Sequence, residues 1–336
     1  MSEEKYFNNK ECAQFISVRN YGSVAKVLLE SQKKTWQQLA EGYKSLSTVQ
    51  VKTFYFDGFR IKAQFNPGRI ISSSAKVDSA SIKERKCFLC PQNLPAEQKG
   101  IPYNDSYLIL ANPFPIFPEH FTVPNVNHTP QKIDGNIGGL LKLTQDISSN
   151  YMAFYNGPKC GASAPDHFHF QAGNKNFMPI GDDFQQLKNE YGEILSEDED
   201  FILTAVDDGL RKFISMESFD YSLLVDLFDK FYKIYSLLVN SGEEPMMNVL
   251  SYYEADYGWR LLIFLRNKHR SSHYFAEGKN NILLSAASVD LGGVSILPLE
   301  KDFDKISKEL LTEVFKEISI SDEFFKMIKE KMTSAI

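Results

Sequence analysis

Residues 161–173 read GASAPDHFHFQAG, and their spacing decides how the rest of the chain is read. His167, His169 and Gln171 occupy alternate positions, with Phe168 and Phe170 between them. In an extended strand successive side chains point to opposite faces. The pattern predicts a strand with two imidazoles and a carboxamide on one face and phenylalanines for a core on the other. Histidine is scarce, 6 in 336 residues, so two at this spacing ask for a chemical reason. A neutral imidazole nitrogen can attack phosphorus when the other ring nitrogen donates to a fixed acceptor. A carboxamide beside it can donate to phosphoryl oxygens as charge builds there. The preceding loop, NGPKCGAS, offers backbone N–H groups, Lys159 and Ser163 to the same anion. An isolated His-x-His is more often a metal pair, or two surface histidines on an edge strand. The added glutamine and the loop tip the balance towards phosphoryl chemistry.

Composition narrows the partners. A formal net charge of -6 argues against a general nucleic-acid binder, which carries a basic surplus or stripe. Hydrophobic residues at 43% and aromatics at 13% suffice for a large core, and the length suits two domains or one elaborated domain. The N-terminal MSEEKYFNNKECAQF has neither the basic start nor the apolar centre of a secretory signal. The most apolar run, YSLLVDLFDKFYKIYSLLV, is interrupted by Asp226, Asp229, Lys230 and Lys233, so no membrane span is expected. These features predict a cytoplasmic protein. Four cysteines are too few for a disulfide scaffold of this size.

Periodicity predicts a mixed α+β chain. Helices are expected over 21–48, 133–150, 184–196, 220–240 and 301–333. VKTFYFDGFRIKAQFNPGR reads as a hairpin about Asp57-Gly58, followed by a serine-rich link at 72–81. SYLILANPFPIFPEHFTVPNV reads as two strands around a proline-rich connection, and YMAFYNG and DHFHFQAG as two more. MMNVLSYYEADYGWRLLIFLRNKHR reads as a second hairpin. A mixed unit thus appears twice, over 1–182 and 183–336, without a residue-level repeat.

CFLCPQN holds Cys87 and Cys90 at a spacing that suits zinc or a redox pair. Pro91 and the surrounding loop residues fit a metal knuckle better than the start of a redox helix. Two further ligands would be needed, and His120, His128 and His167 are the candidates.

The stretch NGPKCGASAPDHFHFQ resembles the active-site strand of the histidine-triad superfamily, in the branch whose motif is His-x-His-x-Gln. That branch holds galactose-1-phosphate uridylyltransferase, the diadenosine tetraphosphate phosphorylases and the GDP-hexose phosphorylases. The resemblance implies an antiparallel sheet with flanking helices and two such halves in one chain. It implies that His169 attacks the α-phosphate and carries the nucleotidyl group, and that Gln171 steadies the intermediate. Asn156, thirteen residues before His169, matches an asparagine that meets the nucleotide phosphate. FPEHFTVPNVNH resembles the family's metal-bearing segment, which implies a structural Zn²⁺ on Cys87, Cys90, His128 and His167, clamping the N-terminal hairpin to the catalytic strand. His120 then becomes a structural or rim histidine.

LANPFPIFPEH implies a nucleotide contact from Asn112 and a base-pocket wall from Leu110. NPGR places Arg69 either on substrate phosphate or on the surface. Arg260 and Arg266 share a face by parity, with Lys268, His269 and Arg270 behind them; this cluster reads as a polyphosphate contact or as a solvated hairpin end. His273 has no assigned role. The match is specific over 60–180 and faint over 245–300. One departure is plain: Ser163 stands four residues before His167, where the branch has three, and Asp166 is unlike the uridylyltransferases.

The expected function is a nucleotidyltransferase or phosphorylase acting on a nucleotide-sugar or dinucleoside polyphosphate through a nucleotidyl-histidine, with a phosphate-bearing acceptor. A histidine-triad nucleotide hydrolase and a non-catalytic nucleotide-binding protein are the alternatives. Neither nucleic acid nor membrane is an expected partner, and a homodimer is compatible with the resemblance.

Overall fold

The computed structural model describes residues 5–8, 10–70, 74 and 78–336. Three helices open the chain: α1 (Lys10–Ser17), α2 (Tyr21–Thr35) and α3 (Gln37–Ser45). The one helix expected over 21–48 is broken at Trp36, which takes extended backbone and buries its ring. The Asp57-Gly58 hairpin forms as β1 (Gln50–Tyr55) and β2 (Arg60–Phe65). Gly58 has φ +73°, a left-handed value that a side chain resists. Most of the serine-rich link expected at 72–81 lies outside the described residues. Its end is α4 (Ser79–Glu84), capped by Asp78, which accepts from the Ser81 N–H.

Next come β3 (Gly100–Tyr103), β4 (Tyr107–Ala111), β5 (His120–Pro124), α5 (Ile137–Asp146), β6 (Tyr151–Asn156) and β7 (His169–Asn174). After α6 (Ile180–Tyr191) the pattern repeats as β8 (Gly192–Glu197), β9 (Phe201–Asp207), β10 (Lys212–Ser218), α7 (Tyr221–Val239), β11 (Met247–Glu254) and β12 (Gly258–Leu265). All ten strands from β3 to β12 join one antiparallel sheet in the order β3-β4-β5-β7-β6-β11-β12-β10-β9-β8. Each half runs three strands, a helix and two strands, and the halves meet where β6 pairs with β11. The boundary expected at 182/183 falls in the first turn of α6, the link between the two arrays.

Two expectations in the second half change. The helix read over 184–196 ends at Tyr191, and Gly192–Glu197 becomes the edge strand β8. The β9–β10 hairpin was not anticipated, although FILTAVDDGLRKFISMES carries two apolar runs around Asp208-Gly209.

The chain closes with α8 (Ser272–Phe275), α9 (Ser288–Leu291), β13 (Val294–Leu297), α10 (Glu300–Lys305), α11 (Lys308–Ile318) and α12 (Asp322–Ala335). The terminal helix expected over 301–333 is therefore three helices. Ser307 and Ser321 start the last two by accepting from the N–H three residues on. β13 runs parallel to β2, so a C-terminal strand holds the N-terminal hairpin in a separate three-stranded sheet.

One face of the large sheet carries Phe170, Leu261 and Ile263, with Phe168 just before β7, into a core shared with α2, α5, α7 and α12. α7 contributes Leu224, Leu227, Phe228, Phe231 and Tyr235, the three-to-four spacing of a helix with one buried stripe. The opposite face carries Phe154, Leu250, Leu262 and Phe264 under α6, α11 and the small sheet. No helix among the described residues is long and apolar enough to cross a membrane.

Candidate active site

β6 and β7 pair only as far as Phe154 and Gln171, and beyond that point the connecting loop leaves the sheet. Gln131 replaces the missing ladder bonds. Its amide donates to the carbonyls of Asn156 (2.9 Å) and His169 (3.0 Å), and its oxygen accepts from the His169 N–H (2.8 Å). The strands are thus splayed yet held, and a cavity of about 550 Å³ opens over them. Its walls include His169, Gln171, Asn156, Ser163 and Asn112. Gly161 makes the loop's close passage possible. It has φ +92°, and an added Cβ would stand 2.5 Å from that of Ala287.

β7 begins at His169, not at His167. The expected shared face is therefore correct for His169 and Gln171, while His167 sits in the turn before the strand and points elsewhere. His169 Nδ1 lies 2.8 Å from the His167 carbonyl, which can only accept. Nδ1 therefore carries the proton, and Nε2 keeps its lone pair. Burial pushes this imidazole down to about 4, against the opposing effect of that backbone bond. Near neutral pH the ring is uncharged and nucleophilic at one defined nitrogen.

The two carboxamides are oriented with equal definition. The Ile116 N–H donates to His120 Nδ1 at 3.2 Å, so the His120 proton sits on Nε2. Nε2 then donates to Gln171 Oε1 at 3.0 Å, and the Gln171 NH₂ has no partner among the described residues. Burial and the neighbouring Arg69 hold His120 down at about 3, so it stays neutral. On the other side, Asn156 Oδ1 accepts from the Ser288 N–H and from Asn248 Nδ2, each at 2.8 Å, and its NH₂ again has no partner among the described residues. One ring nitrogen and two NH₂ groups with no hydrogen-bond partner among the described residues thus belong to residues lining one cavity.

The four expected metal ligands come together. Cys87, Cys90, His128 and His167 place their donor atoms within 4.8 Å of one another. Sulfur-to-Nδ1 separations are 3.2 Å for Cys87–His167, 3.2 Å for Cys90–His128 and 3.5 Å for Cys90–His167. A tetrahedral site with bonds of about 2.3 Å to sulfur and 2.0–2.1 Å to nitrogen has edges of roughly 3.3–3.8 Å. The donors fit such an ion. His167 Nε2 donates to the Asn125 carbonyl at 2.7 Å, which aims Nδ1 at the cluster. Burial alone would raise the Cys87 thiol, but the bond from His167 and nearby backbone N–H groups bring it down to about 6. Burial and the Cys87 charge push Cys90 up to about 11. The cluster ties the Cys87–Cys90 loop to the turn before β7. It does not hold the β1–β2 hairpin, which β13 holds instead.

Other candidates fall on both sides of the cavity wall. Arg69 lines it and donates to the Phe114 carbonyl at 2.6 Å. Burial lowers its guanidinium to about 10, with Asp290 opposing. Asn112 lines it too, but its oxygen accepts from the Phe114 N–H and its amide donates to Thr122 Oγ1, so it shapes a turn. Leu110 is on the wall as expected. Lys159 is exposed and paired with Glu243. Arg260 bonds Glu217 at 2.8 Å and lies between the rings of Phe184 and Tyr257. Arg266 is buried and directs its donors to Asn248 and three backbone carbonyls. The structure places none of these three on the cavity.

Several cavity residues carried no usable sequence signal. Trp36 and Gln38 arrive from the break between α2 and α3. Ser285, Ala287, Val289, Asp290 and Ile296 arrive from the second half. Arg85 and Phe88 flank Cys87, and Arg85 pairs with Asp166. That pairing gives Asp166 a place, 3.7 Å from His128 Nε2.

Two family models match the chain. Residues 28–174 match a domain of unknown function, DUF4922, and residues 206–336 match the GDPGP1-like C-terminal domain. No curated protein matches the sequence. Among solved structures, yeast Ap4A phosphorylase Apa2 superposes with a TM-score of 0.55 at 16% identity, covering 84% of this chain and 94% of that one. Its complex with AMP gives 0.56 at 14% identity, with 86% and 96% covered. Its complex with Ap4A gives 0.54 at 14% identity, with 86% and 97% covered. At these identities the likeness establishes a common fold.

Proposed function

We propose that this chain, a divergent member of the histidine-triad-like fold family, is a nucleotide phosphorylase or nucleotidyltransferase that works through a nucleotidyl group on His169. The observation that carries the reading is the convergence on one cavity of the unprotonated His169 Nε2 and the unspent NH₂ groups of Gln171 and Asn156. The fold shared with a phosphorylase that binds AMP and Ap4A, and the GDPGP1-like C-terminal domain, support it.

In this reading His169 Nε2 attacks the α-phosphorus of a dinucleoside polyphosphate or a nucleotide-sugar. The N–P bond forms as the P–O bond to the leaving phosphate breaks, and the electron pair departs on that oxygen. An oxygen of inorganic phosphate or a sugar phosphate then attacks the same phosphorus, and the N–P pair returns to His169. Phosphate oxygens both leave and enter, so the protein stores no proton in either transfer. Gln171 and Asn156 donate to the phosphoryl oxygens where charge accumulates, and Arg69, which also lines the cavity, meets the phosphates. Leu110 forms part of the base pocket. Zinc on Cys87, Cys90, His128 and His167 would fix the loop that carries Phe88 and Leu89 onto the cavity, a structural role.

Product analysis tests the reading. With Ap4A and inorganic phosphate the expected products are ADP and ATP, and omitting phosphate should suppress turnover. AMP and ATP formed equally with and without phosphate would favour the hydrolase reading and overturn the phosphorylase one.

A further inference from the structure

The second half of the chain contributes more than a cavity wall. Asn248 stands at the start of β11, directly across from Asn156 on β6, and is fully buried. Its amide donates to Asn156 Oδ1 and to the Cys160 carbonyl, both at 2.8 Å, and its oxygen accepts from Arg266 Nη1 at 2.8 Å. Carboxamide orientation is usually open to a flip. Here three groups of unambiguous character remove that freedom. The Ser288 backbone N–H can only donate, so the atom it reaches on Asn156 is oxygen. The Cys160 carbonyl can only accept, so the Asn248 atom it meets is nitrogen. The Arg266 guanidinium can only donate, so the other Asn248 atom is oxygen. Arg266 is fixed in turn by the carbonyls of Ala286, Lys268 and His269.

We propose that Asn248, braced by Arg266, is a positioning residue that locks the Asn156 carboxamide with its NH₂ group towards the α-phosphate. This rests on the nucleotidyl-transfer reading, because it assigns Asn156 to that phosphate. It also gives Arg266 a task two steps behind the substrate. Asn248 of β11 and Arg266 just past the end of β12, far along the chain from the His-x-His-x-Gln strand, thereby set the polarity of a group at the catalytic phosphate. Cys160 and Ser288 join the same chain of bonds, so the loop before β7 and the start of α9 are fixed together.

The test is a double-mutant cycle on the full chain between Asn248→Asp and Asn156→Ala. AMP affinity is read by titration calorimetry, and the rate of phosphate-dependent Ap4A cleavage by product analysis. Asn248→Asp keeps the shape but removes the donor facing Asn156 Oδ1. A residue acting through Asn156 should lose about a hundred-fold in cleavage rate when Asn156 is present, the scale of one transition-state donor. In the Asn156→Ala background the same change should cost less than about three-fold, since contacting residues couple strongly. AMP affinity should follow the same non-additive pattern. Asn248→Ser enters the same cycle, so a folding failure of the aspartate variant does not end the test. Equal losses in both backgrounds would show a merely structural role and overturn the proposal. Wild-type protein that neither binds AMP nor cleaves Ap4A would instead overturn the functional reading, and this assignment with it.

Discussion

β7 and β12 hold corresponding places in the two five-strand arrays, each one strand out from the midline pair β6–β11. Cross-strand pairing carries a single row of side chains through both: Thr122, Gln171, Phe154, Leu250, Leu262 and Ser215. On the first side the row passes under an open cavity, and the strand presents His169 and Gln171. On the second side the strand presents Leu262 and Phe264 at alternate positions, and α6 and α11 close over them with Phe184, Leu187, Val314 and Phe315. The same backbone platform therefore lies under an open, polar-lined cavity in one half and under apolar packing in the other. Two local features separate them. The strands around the motif splay and are bridged by Gln131, and the second half sends its 285–296 segment to roof the first rather than itself.

The contrast can be broken by exchanging what each side tolerates. His169→Ala should abolish the covalent adduct and reduce turnover by ~10⁴-fold or more, as loss of a nucleophile does. Its melting temperature should stay within a few degrees of wild type, and persistent turnover would show that the open side does not work as described. Leu262→Ala should do the reverse. It should cost about 2–5 kcal/mol in denaturant unfolding while the folded fraction keeps its activity. Gln171→Ala should lower the transfer rate by roughly a hundred-fold with little loss of stability. If Gln171→Ala and Leu262→Ala destabilise alike, the two faces are equally structural.

Among the described residues, the candidate metal cluster lies on the open side, which sharpens the comparison. Cys87→Ser should remove bound zinc, measured by elemental analysis, and lower the melting temperature. Zinc affinity should fall as pH is lowered from 8 to 6, because the thiols must lose their protons to bind. A pH-independent affinity would argue against thiolate ligation. The smallest effect is expected at Ser163, which lines the cavity and has no hydrogen-bond partner among the described residues. Ser163→Ala should change turnover less than about five-fold.

Much of this was legible before the fold. Alternation places His169 and Gln171 on one strand face, and the Cys-x-x-Cys spacing with the family resemblance points to four residues whose donor atoms the fold brings together. Period-two spacing cannot show where a strand begins, so it carries the expected strand back to His167, which the fold leaves in the preceding turn. The basic run near β12 was the harder case. Arginine parity is visible in sequence, but whether a guanidinium meets phosphate or a carbonyl depends on chain segments tens of residues away. Arg266 is consumed by Ala286, and Arg260 by Glu217. The roles of His120, Gln131 and Asn248 rest on hydrogen bonds between remote elements, which no local pattern encodes. The β9–β10 hairpin is illegible for a different reason: helical periodicity on both sides masks its apolar runs.

The most direct measurement is peptide-level mass spectrometry after brief incubation with Ap4A in the absence of phosphate. The expected result is a single adenylyl adduct on His169, lost on adding inorganic phosphate with release of ADP. An adduct on any other residue would contradict the central role of His169. So would phosphate-dependent turnover with no adduct at any time point.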